Sequence, residues 1–119
     1  MNREILFRGK TGDEWVYGDL SRLKNAITIT KRNFIYPYIV MPETVGQFTG
    51  LTDKNGVKIF EGDIIKHKEN LFEIKYSTEQ ARYLAVLTNG VFDPVAMQNC
   101  EVVGNVFDNS ELLKGEENE

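Results

Sequence analysis

Residues Met41 to Ile65 read MPETVGQFTGLTDKNGVKIFEGDII, and the fold turns on this stretch. It holds four of the ten glycines and one of the three prolines, which makes it the densest run of turn chemistry in the chain. Gln47-Phe48-Thr49-Gly50-Leu51 and Val57-Lys58-Ile59-Phe60 are short β-prone runs on either side of Thr52-Asp53-Lys54-Asn55-Gly56. Asp53 suits the first position of a type I turn, because its carboxylate can accept from backbone N–H groups two residues on. Asn55 and Gly56 complete the loop, with Gly56 where φ turns positive and a Cβ is a burden. The spacing predicts a β-hairpin with a short loop and a glycine bulge. Glu61-Gly62-Asp63-Ile64-Ile65 then reads as a bend feeding a new strand, with Gly62 allowing the bend and Asp63 bonding the turning backbone.

Upstream of the hairpin, residues 3–8 alternate weakly, with Ile5 and Phe7 on one face. Lys10-Thr11-Gly12-Asp13 is a turn, and Glu14 to Leu20 returns as a strand with Trp15 and Tyr17 on one face. Gly18-Asp19 marks an end or a bulge. Ala26-Ile27-Thr28-Ile29-Thr30 alternates cleanly, which predicts Ile27 and Ile29 inward and Thr28 and Thr30 outward. Lys31-Arg32-Asn33 is a basic turn. Phe34-Ile35-Tyr36-Pro37-Tyr38-Ile39-Val40 is aromatic and extended, and Pro37, lacking an N–H, makes it an edge strand or an irregular arm. Pro42-Glu43-Thr44-Val45 reads as one turn of helix with proline at its start.

Downstream, Asp63 to Lys68 and Leu71 to Tyr76 pair across a tight turn at Glu69-Asn70. Phe72, Ile74 and Tyr76 share one face, Glu73 and Lys75 the other, and His67 lies on the Ile65 face. Tyr83 to Thr88 and Val91-Phe92 flank an Asn89-Gly90 hairpin turn. Glu101 to Phe107 is the last strand, with Gly104 a bulge or close crossing. Asp108 to Leu113 reads as a short helix capped by Asp108 or Asn109. Gly115 to Glu119 is an acidic tail expected to be disordered.

Five short strands between Asp63 and Asp108 suit a small, partly open barrel. The chain has 19 Val and Ile residues against 4 Ala, a bias toward pleated surface. The expected fold is therefore all-β: an N-terminal antiparallel hairpin region packed on a C-terminal SH3-like barrel, with a short C-terminal helix. In sequence order this is an N-terminal β subdomain (1–46), a connecting hairpin (47–62), the barrel (63–108), and the helix and tail (109–119).

A net charge of −4 opposes non-specific nucleic-acid binding, which needs Lys and Arg to neutralise phosphates. One cysteine, Cys100, leaves no disulfide partner and suits a reducing cytoplasm. Cys100 lacks the neighbours of a nucleophile, since the only histidine is His67. The opening MNREILFRGKTGDE carries charges where a signal peptide needs an apolar run, and no apolar run reaches membrane-spanning length.

No catalytic constellation, metal set or cofactor motif stands out, so catalytic, metal and cofactor-binding residues are all expected to be none. The exposed candidate is the arm: Lys31, Arg32, Phe34, Tyr36, Pro37 and Tyr38 form a possible interaction surface, since aromatics dominate interfaces. Three readings stand. The first is a non-enzymatic protein acting through protein contacts, as a homo-oligomer. The second is a small-barrel nucleic-acid binder using Lys31, Arg32, Tyr36 and Tyr38 with Lys66 and Lys68. The third is a metal-dependent hydrolase built on Glu61 and Asp63 with Asp19 or Glu43.

Four segments resemble a known family. They are Arg3 to Arg8, the Val16-Tyr17-Gly18-Asp19-Leu20 segment, the stretch VGQFTGLTDKNGVKIFEGDII, and Val102 to Asn109 with Glu111-Leu112-Leu113. Together they resemble the YopX-type proteins of bacteriophages and prophages. The resemblance implies an all-β fold, a tendency to homo-oligomers, a bacterial cytoplasmic setting, and self, phage or host proteins as partners. It implies no activity and no site residues, and the lack of a membrane-length apolar run leaves no membrane partner expected.

Overall fold

The computed structural model describes residues 4–87, 90–94 and 99–113. The Asn89 half of the second hairpin turn and the acidic tail lie outside the described residues. The chain is almost entirely β and divides into two compact units, Met1–Phe48 and Thr49–Glu119.

The first unit is one antiparallel sheet in the order β4-β3-β2-β1-β5. Its strands are β1 (Phe7–Thr11), β2 (Glu14–Leu23), β3 (Ala26–Thr30), β4 (Tyr38–Ile39) and the first part of β5 (Met41–Thr52). A two-residue turn at Gly12-Asp13 joins Thr11 to its partner Glu14, with Gly12 at φ 63°. β2 does not end at Gly18. It runs on to Leu23 and changes partner there, pairing with β1 up to Gly18 and with β3 from Asp19. Gly18 is where the crossing is tightest: a Cβ there would lie 2.0 Å from the Thr30 carbonyl oxygen, so only glycine fits.

The core of this unit is small. Val16, Ile29 and Val40 are buried together, with Phe7, Ile27, Tyr38 and Val45 packed around them. Thr28, expected outward, is buried as well. Its hydroxyl donates to the carbonyl of Ser21, which faces it across the β2–β3 ladder, so the buried polar group is satisfied.

Residues 42–45 are not a helical turn. They lie within β5, at an irregularity where Arg8 pairs with Gly46 but Lys10 pairs with Met41. Pro42 cannot donate to a ladder, so the bulge falls beside it. The Thr44 hydroxyl takes over. It accepts from the Lys10 N–H at 2.9 Å and donates to the Met41 carbonyl at 2.6 Å. Proline favours helix starts, which makes a helical turn the local expectation for Pro42 to Val45; the neighbouring strand β1 decides otherwise.

The second unit begins inside β5. The last residues of β5 and β6 (Lys58–Phe60) form the hairpin, which lies in this unit. The reason is packing: Ile59 of β6 is buried with Ile65, Phe72, Ile74, Ala85 and Cys100. The remaining strands are β7 (Asp63–His67), β8 (Asn70–Ser77), β9 (Arg82–Leu87), β10 (Gly90–Phe92) and β11 (Glu101–Asn105). They form an antiparallel sheet in the order β10-β9-β8-β7-β11. Its edge strands are β10 and β11, so among the described residues the sheet stays open and no closed barrel forms.

The β7–β8 turn is Lys68-Glu69, one residue earlier than the sequence reading, because His67 pairs with Asn70. Lys68 takes φ 58° there. Residues 111–113 are helical. The Leu112 N–H donates to the Asn109 backbone carbonyl, while the Asn109 side-chain Oδ1 accepts from the Asn105 N–H, closing the bend that leaves β11.

Candidate functional site

The arm lies in the first unit, between β3 and β4. A turn closes it at the start, with the Phe34 N–H donating to the Lys31 carbonyl at 3.0 Å and Asn33 at φ 71°. Asparagine tolerates that left-handed geometry better than most residues. Past the turn, Phe34, Ile35 and Tyr36 are exposed by 60%, 81% and 75%. Pro37 is exposed too, and Tyr38 turns back to pack against the small core.

The arm ends in the edge strand β4. Its register with β3 pairs Ile29 with Tyr38 and Thr28 with Ile39, and the Val40 N–H donates to the Ile27 carbonyl. In an antiparallel ladder the bonded pairs alternate. Tyr38 and Val40 therefore turn their backbone groups to β3, and Ile39 turns its own outward. Pro37, two residues earlier and on the same outward phase, has no N–H. A second strand added at this edge would find almost no ladder, so contacts here fall to the side chains.

The two cations of the arm are both engaged within the unit. The Lys31 ammonium lies 5.0 Å from the Tyr38 ring centroid and 5.8 Å from that of Phe34. Arg32 reaches away from the arm. Its Nη1 lies 3.6 Å from Glu4 Oε2, its Nη2 lies 3.5 Å from Asp19 Oδ1, and Nη2 also donates to the Ile5 carbonyl. Lys66 and Lys68, the other cations of the nucleic-acid reading, are exposed around the β7–β8 turn of the second unit.

The turn residues of the hairpin form a different kind of centre. Asp53 is buried, and its Oδ1 accepts from the N–H groups of Asn55 at 2.8 Å and Val57 at 2.9 Å. Its Oδ2 accepts from the Val102 N–H at 2.9 Å, 49 residues away in β11. The Lys54 N–H donates to the Cys100 carbonyl at 3.0 Å beside it. Gly56 takes φ 82° and donates to the Asp53 carbonyl. Burial pushes the Asp53 carboxyl up, but the donors from Val102, Val57 and Asn55, helped by the Lys54 charge, more than reverse this and hold it below the usual carboxylate range.

Asp63 is also buried, and its Oδ2 accepts from the Phe60 N–H at 2.7 Å across the bend. Gly62, at φ 94°, donates to the Ile74 carbonyl and accepts from the Val106 N–H. This carboxylate thus serves backbone. Asp19 and Glu43 are exposed in the first unit and Glu61 is half-buried in the second. Among the described residues no three His, Cys, Asp or Glu side chains gather as a metal site would need.

Cys100 is buried, and burial together with the Asp53 charge pushes its thiol up. Both effects oppose the thiolate a nucleophile requires. His67 is half-buried, and its Nδ1 is screened from solvent with no hydrogen-bond partner among the described residues.

The family described as YopX protein matches residues 5–114. The chain belongs to the YopX family. A comparison with curated proteins finds no match. Within this YopX chain the geometry adds one grouping that the sequence reading passed over. The guanidinium of buried Arg8 lies 4.7 Å over the Trp15 ring, and the Lys10 ammonium lies 5.8 Å from it. The signal was available: a two-residue turn at Gly12-Asp13 sets Lys10 opposite Trp15 and Arg8 opposite Tyr17. In a strand pair such residues share a face. No helix among the described residues is long and apolar enough to cross a membrane.

Proposed function

We propose that this protein is a non-enzymatic accessory protein of a phage or prophage that acts through protein–protein contacts. It assembles as a homo-oligomer in the bacterial cytoplasm, with the arm from Lys31 to Ile39 as the contact surface, and phage or host proteins are its further partners. The observation that carries this reading is the row of exposed apolar side chains Phe34, Ile35 and Tyr36 leading into Ile39. At about 200 Å² for a fully exposed large side chain, these four offer roughly 550 Å² per copy, against about 800 Å² per partner in a standard interface. A second copy is the occupant this surface favours, because the first unit is a single sheet with a small core and gains most from a further apolar layer.

The basic residues support this reading over nucleic-acid binding. Arg32 is held among Glu4, Asp19 and the Ile5 carbonyl, and Lys31 lies over two rings. Neither is poised for a phosphate, and the net charge is −4.

Size-exclusion chromatography with light scattering, at tens of micromolar protein, tests the assembly. The wild-type chain is expected to run as an oligomer, and the Ile35→Ser/Tyr36→Ser double variant as a folded monomer. A wild-type chain that is strictly monomeric overturns the homo-oligomer.

A further inference from the structure

We infer that Arg32 is the positioning residue of the arm: its guanidinium pins the arm's first turn to the start of the chain and to β2, and so sets the surface that assembles. The inference rests on the reading of the arm as the contact surface. It adds the element that holds that surface in place.

The geometry is specific. Asn33 at φ 71° reverses the chain just after Arg32, and the hydrogen bond from Phe34 to Lys31 closes that reversal. The side chain of Arg32 then points back from the arm. It meets three acceptors from two separate segments: the carboxylate of Glu4, the carbonyl of Ile5 and the carboxylate of Asp19. These contacts span 13 to 28 positions of sequence, so no local element supplies them. Beyond this turn, Phe34, Ile35 and Tyr36 are exposed, and β4 is only two residues long. The arm is therefore anchored at its far end by a short edge strand and at its near end by Arg32.

Arginine suits the role because its planar fork can address several acceptors at once, whereas a lysine ammonium is a single point charge. The three side chains are partly exposed, so the clamp is sensitive to ionic strength. That gives the assembly an unusual salt response. An apolar contact alone is not weakened by sodium chloride, but an apolar contact presented by an ionic clamp is, because screening loosens the presenting arm.

Hydrogen exchange at the Phe34 and Val40 amides, which donate to the Lys31 and Ile27 carbonyls at the two ends of the arm, reports the clamp without reference to assembly when read in dilute protein. In Arg32→Gln these amides should exchange roughly three- to tenfold faster, while those of the second unit stay unchanged. Arg32→Lys should fall between wild type and Arg32→Gln. Wild type in about 1 M sodium chloride, where the screening length is about 3 Å, should approach Arg32→Gln. The swapped pair Arg32→Asp/Asp19→Arg should recover part of the protection that Arg32→Asp alone loses. Light scattering on the same variants should show weaker assembly in the order of their exchange rates. Unchanged exchange in Arg32→Gln overturns the clamp. Faster exchange with undiminished assembly overturns its control of the surface. A monomeric wild type defeats the proposed assembly, and the clamp then stands or falls on the exchange rates alone.

Discussion

The two units solve the problem of an apolar β-sheet differently. Among the described residues the first unit buries five hydrophobic side chains and leaves nine large ones exposed; the second buries nine and leaves six exposed. The second has a hairpin to lay over part of its sheet, and Ile59 of that hairpin joins the core of Ile65, Phe72 and Ile74. Within the first unit the strands form a single sheet, and a single sheet by itself cannot bury apolar residues on both faces. A short chain segment is also poor at burying surface for geometric reasons. Exposed Phe34, Ile35 and Tyr36 are then the surplus of a unit with too little core, and a second copy is what such a surplus can use.

The comparison is sharpest in the cores. Ile74→Ala, at a fully buried site in the larger cluster, should cost about 2–5 kcal/mol in urea unfolding of the whole chain. Ile29→Ala is equally buried but sits in the small cluster, so its effect should be lower in that range and concentrated in the exchange of β1 to β4. Equal losses, spread over both units, would break the contrast drawn between them.

Asp53 tests how the second unit is closed. Asp53→Asn keeps one acceptor oxygen and replaces the other with a donor, leaving the Val102 N–H or the turn amides without their carboxylate. A loss of about 2 kcal/mol at neutral pH is expected from a charge-assisted bond. Because the folded state holds this carboxyl below its usual range, it binds fewer protons than the unfolded chain near that range. The stability it contributes is complete above about pH 4 and falls away as pH drops through the lower, folded value. Wild type should thus lose part of its advantage over Asp53→Asn on acidification. Parallel melting curves of the two proteins from pH 7 to pH 2.5 would show this carboxylate to be uninvolved.

The smallest effect is expected in the first unit's bulge. Thr44→Val keeps the shape but removes the acceptor for the Lys10 N–H and the donor to Met41, for a cost of about 1 kcal/mol. Faster exchange at Lys10 would be its signature, and a melting temperature equal to that of the wild type would show the bulge to be held by other contacts.

Much of this architecture was legible. The hairpin around Asp53 to Gly56 could be read from turn chemistry, because φ > 0 at Gly56 and a carboxylate accepting from its own turn are local demands. Strand alternation likewise placed Ile29 inside and set Ile74 on one face with Phe72, and all three are buried. Errors came where a distant strand outvoted a local preference. Pro42 to Val45 looked helical until β1 recruited the Thr44 hydroxyl. Thr28 looked exposed until Ser21 offered a carbonyl. Gly18 looked like an end or a bulge, yet it is the point where β2 passes from one partner to the next. The arm was legible as aromatic and irregular. That Arg32 reaches back from the arm was not, since its partners are spread over Glu4, Ile5 and Asp19.

By itself the sequence determined the β class, the turn at Asp53 to Gly56, and the bend at Gly62-Asp63, all set by short-range dihedral and hydrogen-bond needs. Only the tertiary structure decided what those turns hold together. The second oxygen of Asp53 reaches β11 at Val102, and the stretch from Met41 to Ile65 is divided between two units at Phe48. Turn chemistry is spent within a few residues, whereas strand pairing and burial are fixed by neighbours that lie tens of residues away.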